Sequence, residues 1–426
     1  MDKAKFLEIS KFENEIYDCI KCGFCTFFCP VYQEEKIESS VARGKNELVK
    51  ALISGELEFT PELADRLNKC TACMACTENC PTKAKISRVV VAARADVFRE
   101  RGVGFPLGFV YRNLLPNRRL FGNVLHFASL FQSVFMPRTN GVIRHLPNFI
   151  SGLGKGRQIP SVAVKFLRQQ MPVVNKPPAG VKTVMRVGYL SGCMNEFVLP
   201  HVAKKTIGFL NRNGVEVVMP REQGCCGAPV FLGAGDFETG RKMADANVAA
   251  FKDLELIVAD CATCACAFRE YPRFLADTPE RKEAYSRFAG KTRHIIEFLT
   301  DVLKLPPSAY RTADERKGKK LTWHDPCHLN RHLGIKEQPR QIIKSIPDVE
   351  YIEMPNADRC CGMAGQFNLN YYELSKQIAE KTVESIEASG ADIVVTACPG
   401  CQFQLLDSLT RLGKPQKVMN LMEILS

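Results

Sequence analysis

Short apolar runs in the second half of the chain alternate with segments of helical length. The runs are three to six residues long and occupy residues 186–190, 215–219, 254–259, 321–323, 349–354 and 393–396. Residues 200–213 and 371–389 are the clearest of the intervening helical segments. This alternation is typical of β-α-β units and predicts sheets that are mainly parallel.

The chain divides into four regions with different patterns. Residues 1–100 contain two cysteine-rich stretches, and the segments 41–54 and 61–67 between them predict helices. Residues 101–182 form a connector, and the two units 183–305 and 306–426 share the alternating pattern. The predicted fold class is therefore α+β and multidomain, with a helix-rich module followed by a duplicated α/β module.

The connector differs from the other regions in charge. Between Arg101 and Asn195 there is no Asp or Glu against 13 Lys and Arg, so this stretch accounts for the whole net charge of +12. A basic coat over the entire chain would favour nucleic acid as the partner. A single basic connector rich in Phe instead favours an acidic partner or anionic lipid, and we expect no nucleic-acid binding.

An uncharged stretch of the connector, residues 120–137, is flanked by Arg118, Arg119 and Arg138. Polar residues interrupt it too often for a membrane-spanning helix, which needs about 20 mostly apolar residues. The spacing predicts an amphipathic helix on a membrane surface, with the arginines facing anionic head groups. The alternative is a helix packed on the chain's own domains or on a partner subunit. The predicted apolar face consists of Leu120, Val124, Phe127, Phe131 and Phe135.

The chain contains 19 cysteines, an odd number, and it starts with MDKAKFLEIS, which is not an apolar signal segment. These features argue against a secreted disulfide framework and favour the reducing cytoplasm. Clustered cysteines are more often metal ligands than disulfides in that compartment.

Eight cysteines form two runs of the pattern Cys-x2-Cys-x2-Cys-x3-Cys-Pro, which is the bacterial ferredoxin pattern. In such runs the fourth cysteine ligates the cluster of the other run, so two [4Fe-4S] cubanes must lie close together. Structural zinc, the alternative, usually takes two separated pairs and would not need a third cysteine in each run. The predicted ligand sets are Cys19, Cys22, Cys25 and Cys80 for one cluster, and Cys70, Cys73, Cys76 and Cys29 for the other.

Ten further cysteines form two sets with the same order. Each set has three stations, namely a single cysteine, an adjacent pair and a Cys-x2-Cys pair. The stations are separated by 31 and 34 residues in one set and by 32 and 36 residues in the other. The first copy consists of Cys193, Cys225, Cys226, Cys261 and Cys264, and the second copy of Cys327, Cys360, Cys361, Cys398 and Cys401. Each station follows a predicted strand, so we expect both sets at the carboxyl edges of sheets. Gly227 and Gly362 follow the paired cysteines and allow a tight turn beside a metal.

This Cys-Cys-Gly pattern resembles the cysteine-rich domain of heterodisulfide reductases. Together with the two ferredoxin runs, it resembles over almost the full chain the iron-sulfur subunits of anaerobic glycerol-3-phosphate dehydrogenase, glycolate oxidase and lactate-oxidising complexes. The resemblance implies a non-cubane [4Fe-4S] cluster on the five cysteines of each complete copy. For the first copy, zinc or no metal is the alternative.

Four residues close to these cysteines fall outside the pattern. Cys266 is expected to be a buried apolar side chain. His324, Asp325 and His328 flank Cys327, and we expect them to fix the cluster loop by hydrogen bonds in preference to donating protons during catalysis.

The sequence contains no G-x-G-x-x-G turn between a strand and a helix, so a flavoprotein partner must take the hydride from an organic substrate. The leading hypothesis is an oxidoreductase subunit that passes electrons from a flavin dehydrogenase of the glycerol-3-phosphate, glycolate or lactate type towards quinone or another carrier. Its place would be the inner face of the cytoplasmic membrane. The alternative is a catalytic subunit that reduces a disulfide at a non-cubane cluster.

Overall fold

The computed structural model describes residues 5–135, 143–145 and 158–425. Within residues 5–101 the described chain forms helices and turns and contains no strand. The helices predicted at 41–54 and 61–67 are confirmed to within one residue at each end. Thr60 begins the second of these, because its hydroxyl accepts a hydrogen bond of 3.2 Å from the Leu63 amide. The helices are Glu13–Tyr17, Pro30–Glu35, Ala42–Ser54, Pro61–Asn68, Ala75–Glu78 and Ile86–Arg101, with 3-10 turns at Ile9–Phe12, Phe24–Phe27 and Glu38–Ser40.

The helix Ile86–Arg101 lies at the centre of this module and is buried over most of its circumference. The Asp96 carboxylate accepts a hydrogen bond of 2.9 Å from the Ile9 amide, which ties the N-terminal turn to the helix. Arg94 donates to the Leu67 carbonyl at 2.8 Å and to the Leu232 carbonyl of the α/β module at 3.2 Å. One helix therefore joins the cysteine-rich module to the region that follows it.

The connector begins with the short helices Leu107–Phe109 and Val110–Leu114 and continues in the predicted amphipathic helix, Arg118–Phe135, here called the connector helix. The short strands β1 (Ile143–His145) and β2 (Gln158–Pro160) pair antiparallel, and the helix Leu167–Gln170 follows. No helix in the described ranges is long and apolar enough to cross a bilayer.

The connector helix packs both polar and apolar residues against the protein. The Gln132 amide donates to the Val162 carbonyl at 2.6 Å, and Phe121 packs edge-on against Phe197 with ring centroids 5.3 Å apart. Four side chains of the predicted apolar face are between 41% and 65% exposed. They are Leu120, Val124, Phe127 and Phe131.

One prediction for the connector helix is wrong. Arg118 does not face outward, because its side chain is 13% exposed and forms an ion pair of 2.7 Å with the buried Glu196. Arg119 is exposed, and Arg138 and the side chain of Phe135 lie outside the described residues.

The first copy is built on a five-stranded sheet with the order β3-β5-β4-β6-β7, in which only β3 runs antiparallel to its neighbour. The strands are β3 (Val174–Asn175), β4 (Met185–Leu190), β5 (Val215–Val218), β6 (Ile257–Ala259) and β7 (Thr292–His294). The helices are Met194–Phe197, Pro200–Arg212, Pro229–Ala234, Phe237–Ala250, Ala262–Phe274, Pro279–Gly290, Ile295–Glu297 and Phe298–Val302.

The second copy is built on a parallel four-stranded sheet with the order β11-β10-β8-β9. The strands are β8 (Lys320–Trp323), β9 (Glu350–Tyr351), β10 (Ile393–Thr396) and β11 (Lys417–Asn420). The helices are Pro307–Ala309, Asp314–Arg316, His328–His332, Gln338–Lys344, Gln366–Asn370, Tyr372–Ser389, Pro399–Arg411 and Leu421–Ile424.

The two sheets repeat one another, since β5-β4-β6-β7 corresponds strand for strand to β9-β8-β10-β11. The predicted parallel pairing is confirmed. Two predicted strands are shorter than expected: 254–259 shrinks to the three residues of β6 and 349–354 to the two residues of β9. The strands β3, β7 and β11 were not predicted.

Candidate metal centres

Cys19, Cys22, Cys25 and Cys80 line one small cavity at the N-terminal end of the molecule. Cys22 is exposed, so this cavity lies next to the surface. The Cys80 sulfur lies 3.3 Å from the Thr82 hydroxyl, which donates to the Asp18 carbonyl at 2.8 Å. Burial raises the pKa of Cys80. Hydrogen bonds with Thr82 and nearby backbone amides lower this pKa by more than burial raises it, so the net shift is downward. The thiolate form that binds metal is thus favoured.

Cys29, Cys70, Cys73 and Cys76 line a second cavity. Cys76 also lines the first cavity, so the two are neighbours. Burial raises the pKa of Cys29 to about 12, because a lone buried thiolate lacks solvation. A metal centre would supply the missing positive charge. The structure thus brings together the two cysteine sets that crossed ligation predicts.

Two buried cations lie beside the second cavity, and no cysteine motif of the sequence pointed to them. Lys45 is 1% exposed, and its ammonium donates to the Ser39 carbonyl at 2.8 Å. It forms no ion pair with a carboxylate among the described residues. Burial lowers the pKa of Lys45, whereas the nearby Cys70 and Cys29 raise it. Arg94 is also buried and donates to the Cys70 carbonyl.

A buried ammonium without a carboxylate partner is costly unless another negative charge lies near it. A [4Fe-4S] cluster on four thiolates carries net negative charge and meets this need. The signal in the sequence was the position of Lys45 on its helix, one and two turns before the buried Val49 and Leu52.

In the first copy the five thiols form one continuous series of contacts. The series runs through Cys193, Cys225, Cys226, Cys264 and Cys261. All are buried except Cys193, which is half-buried.

In the second copy the thiols are arranged alike, with Cys327 against Cys360 and Cys398 against Cys401. The sulfurs of Cys361 and Cys401 are 3.3 Å apart. Contact with Cys401 is the main cause that lowers the pKa of Cys361 to about 6.

The glycine after each cysteine pair adopts a positive φ, 78° at Gly227 and 84° at Gly362. A Cβ atom at Gly362 would lie 2.6 Å from the Ser375 carbonyl oxygen. Only glycine fits this turn without a shift of the backbone.

Contacts between thiols also join the separate centres. Cys73 of the second cavity touches Cys360 of the second copy. Cys398 of the second copy touches Cys261 of the first. The Ala262 amide donates to the Ala397 carbonyl at 3.0 Å and holds these two loops together. The four thiol groups therefore follow one another in a line.

The predicted flanking residues of the second copy have different surroundings. Asp325 accepts hydrogen bonds from the Trp323 indole at 2.7 Å and from Arg340 at 2.8 Å. The Nδ1 atom of His328 lies 2.9 Å from the Thr263 hydroxyl. Both residues thus bond to structure around the cluster loop. The imidazole of His324 instead contacts the Cys361 sulfur.

Cys266 is 1% exposed, and burial raises its pKa. This is what a buried apolar cysteine shows.

The donor sets can be compared with the metals they would take. Each cavity of the N-terminal module offers four thiols, as a [4Fe-4S] cubane needs. Each copy offers five, one more than a single tetrahedral zinc accepts. Soft thiol donors in these numbers fit iron-sulfur clusters at all four centres.

Comparison with known families gives two matches within the chain. The 4Fe-4S dicluster domain matches residues 15–84, which include all eight ferredoxin-type cysteines. The cysteine-rich domain matches residues 187–269 and 321–406, which include both copies.

Individual relatives match over longer stretches. A protein of Bacillus subtilis named "Probable glycolate oxidase iron-sulfur subunit" is 29% identical over 416 residues, 95% of this chain and 92% of its own. Lactate utilization protein A of Bacillus pumilus is 34% identical over 242 residues, which are 57% of this chain and 99% of that protein. A crystal structure of a hypothetical protein from Helicobacter pylori covers 99% of this chain and 72% of its own, with 9% identity and a TM-score of 0.49.

Proposed function

The chain belongs to the family of the lactate utilization protein A and glycolate oxidase iron-sulfur subunit homologues, and we propose that it transfers electrons within a membrane-associated flavin dehydrogenase complex. The substrate would be a small hydroxy compound of the glycolate, lactate or glycerol-3-phosphate type. Clusters held by the four thiol groups would supply one-electron storage and transfer.

The observation that carries this proposal is the linear order of the thiol groups. Cys76 borders both cavities, Cys73 touches Cys360, and Cys398 touches Cys261. Each centre thus has a neighbour within side-chain contact.

The surface at one end of the line supports the docking of a partner that delivers electrons. Cys22 is exposed there, and Ile20 and Phe24 line the same cavity. Phe27 is 72% exposed and Ile20 64%, and the ring of Phe24 lies tilted against that of Phe28 with ring centroids 5.4 Å apart. Exposed aromatic groups of this kind mark protein interaction sites. We infer that the flavoprotein docks at this end.

The other end of the line lies beside the connector helix. Cys193 immediately precedes the helix Met194–Phe197, whose Phe197 packs against Phe121 of the connector helix. Arg118 also donates to the Gln223 carbonyl, two residues before Cys225. The exposed apolar face of the connector helix supports contact with a membrane surface and quinone as acceptor, at the inner face of the cytoplasmic membrane.

The proposal is tested by anaerobic purification followed by iron and sulfide analysis and EPR. Four clusters give about 16 irons per chain, whereas about eight would mean that the two copies are not cluster sites. Co-purification with a flavoprotein supports the proposed complex. Turnover of a disulfide by the reduced chain alone would contradict a purely electron-transferring role.

A further inference from the structure

His324 lies inside the thiol group of the second copy. One of its ring nitrogens and the sulfurs of Cys361 and Cys401 all lie within 4.8 Å of one another. All three side chains are buried, and that of His324 is 1% exposed. Among the described residues, no other His, Asp or Glu meets the same criterion.

The Cys361 sulfur is the polar partner of the imidazole. In the described part of the chain, the ring nitrogens have no further hydrogen-bond partner. A buried polar group without a partner is costly, so something at this place has to compensate it. The groups nearest to it are thiols of a candidate metal site, and neutral imidazole is itself a common metal ligand.

The first copy provides the comparison. His324 stands three residues before Cys327, and the residue three before Cys193 is Leu190. The two positions are structurally equivalent, because each lies beside the strand that leads to the last two cysteines of its copy. Leu190 pairs with Ala259 of β6, and the His324 amide donates to the Val395 carbonyl of β10 at 2.9 Å. The five cysteines are common to both copies, and this nitrogen donor is not.

We propose that His324 is a sixth protein ligand, bound through an imidazole nitrogen to the iron-sulfur centre of the second copy. The proposal rests on the proposed function, because it requires a cluster in that copy. The first-copy centre, with Leu190 at the equivalent position, lacks such a donor.

The test uses full-length protein labelled with [15N]histidine and pulsed EPR on the paramagnetic second-copy centre. The expected result is a strong coupling from a directly bonded nitrogen. It disappears in His324→Leu, which recreates the first-copy residue, and persists in His328→Leu, which removes the other nearby imidazole.

If His324→Leu fails to hold the centre, His324→Cys replaces the imidazole by a thiol. Iron content at the wild-type level without nitrogen coupling then supports the ligand role. Nitrogen coupling that survives in His324→Leu or in His324→Cys overturns the ligand role. A wild-type centre without strong nitrogen coupling overturns it as well. A wild-type chain with only about 12 irons and no second-copy signal overturns the proposed function as well.

Discussion

The two copies share a strand order and five cysteines but have different neighbours. The second copy touches the N-terminal module through Cys73 and Cys360, and His324 lies among its thiols. The first copy has Leu190 at that place and lies beside the connector helix through Phe197. A duplicated scaffold has thus kept its cysteine loops while the surroundings of the two copies have diverged. The difference indicates an inner centre and an outer centre within one chain.

The largest effect is expected from removal of one paired cysteine in each copy. Cys361→Ser and Cys226→Ser should each lose one cluster, or about four irons per chain, because both cysteines are central to their thiol groups. Iron analysis and EPR on anaerobically purified protein measure the loss. Cys266→Ser is the matched control and should keep the full iron content. Equal iron in Cys226→Ser and wild type would mean that the first copy holds no cluster.

The next effect concerns the buried ion pairs beside each copy. Arg340→Met should destabilise the protein by about 3 kcal/mol, because it leaves the buried Asp325 without a cation. Arg118→Met should cost less, because Glu196 keeps Arg168 at 3.7 Å. Thermal unfolding under anaerobic conditions measures both. Arg340→Met combined with Asp325→Asn should recover part of the loss, and a larger cost for Arg118→Met would reverse the comparison.

A smaller effect is expected on the exposed face beside the first copy. Phe127→Asp should weaken binding to vesicles of anionic lipid by roughly tenfold or more, since a buried Phe contributes about 1.5–3 kcal/mol. Stability should not change, because Phe127 is 65% exposed. Flotation with vesicles measures the binding, and Phe109→Asp, at another exposed position in the connector, serves as the control. Unchanged flotation of Phe127→Asp would remove the connector helix as a membrane contact.

The smallest effect concerns the cubane next to the second copy. Lys45→Met should lower its reduction potential by on the order of 50 mV, because the buried positive charge favours the reduced, more negative cluster. Lys21→Met, in the wall of the first cavity, should have little effect, because Lys21 is exposed and paired with Glu47 at 2.7 Å. Redox titration followed by EPR compares them, and equal shifts would contradict a special role for Lys45.

The cysteine sets and the parallel sheets could be predicted because they depend on local spacing. Each station follows a strand by a few residues, and parallel strands place such loops at one edge. The strands β7 and β11 were missed because they are only three or four residues long and contain His294 or Lys417.

The contacts between modules could not be predicted. Cys73 and Cys360 are 287 residues apart in the sequence, and nothing in their spacing indicates that the second copy, not the first, meets the cubanes. The inward orientation of Arg118 depends in the same way on Glu196, a residue of another region. The burial of the Lys45 side chain could have been predicted from its helix face, but the cysteines beside it could not.

The linear order of the centres is tested most directly by freeze-quench EPR after photoreduction from the exposed end. A ruthenium photoreductant attached at Phe27→Cys delivers electrons beside Cys22. In Cys361→Ser, the two cubanes should be reduced while the first-copy centre stays oxidised. In Cys226→Ser, the cubanes and the second-copy centre should both be reduced. Reduction of the first-copy centre in Cys361→Ser at the wild-type rate would contradict the linear order.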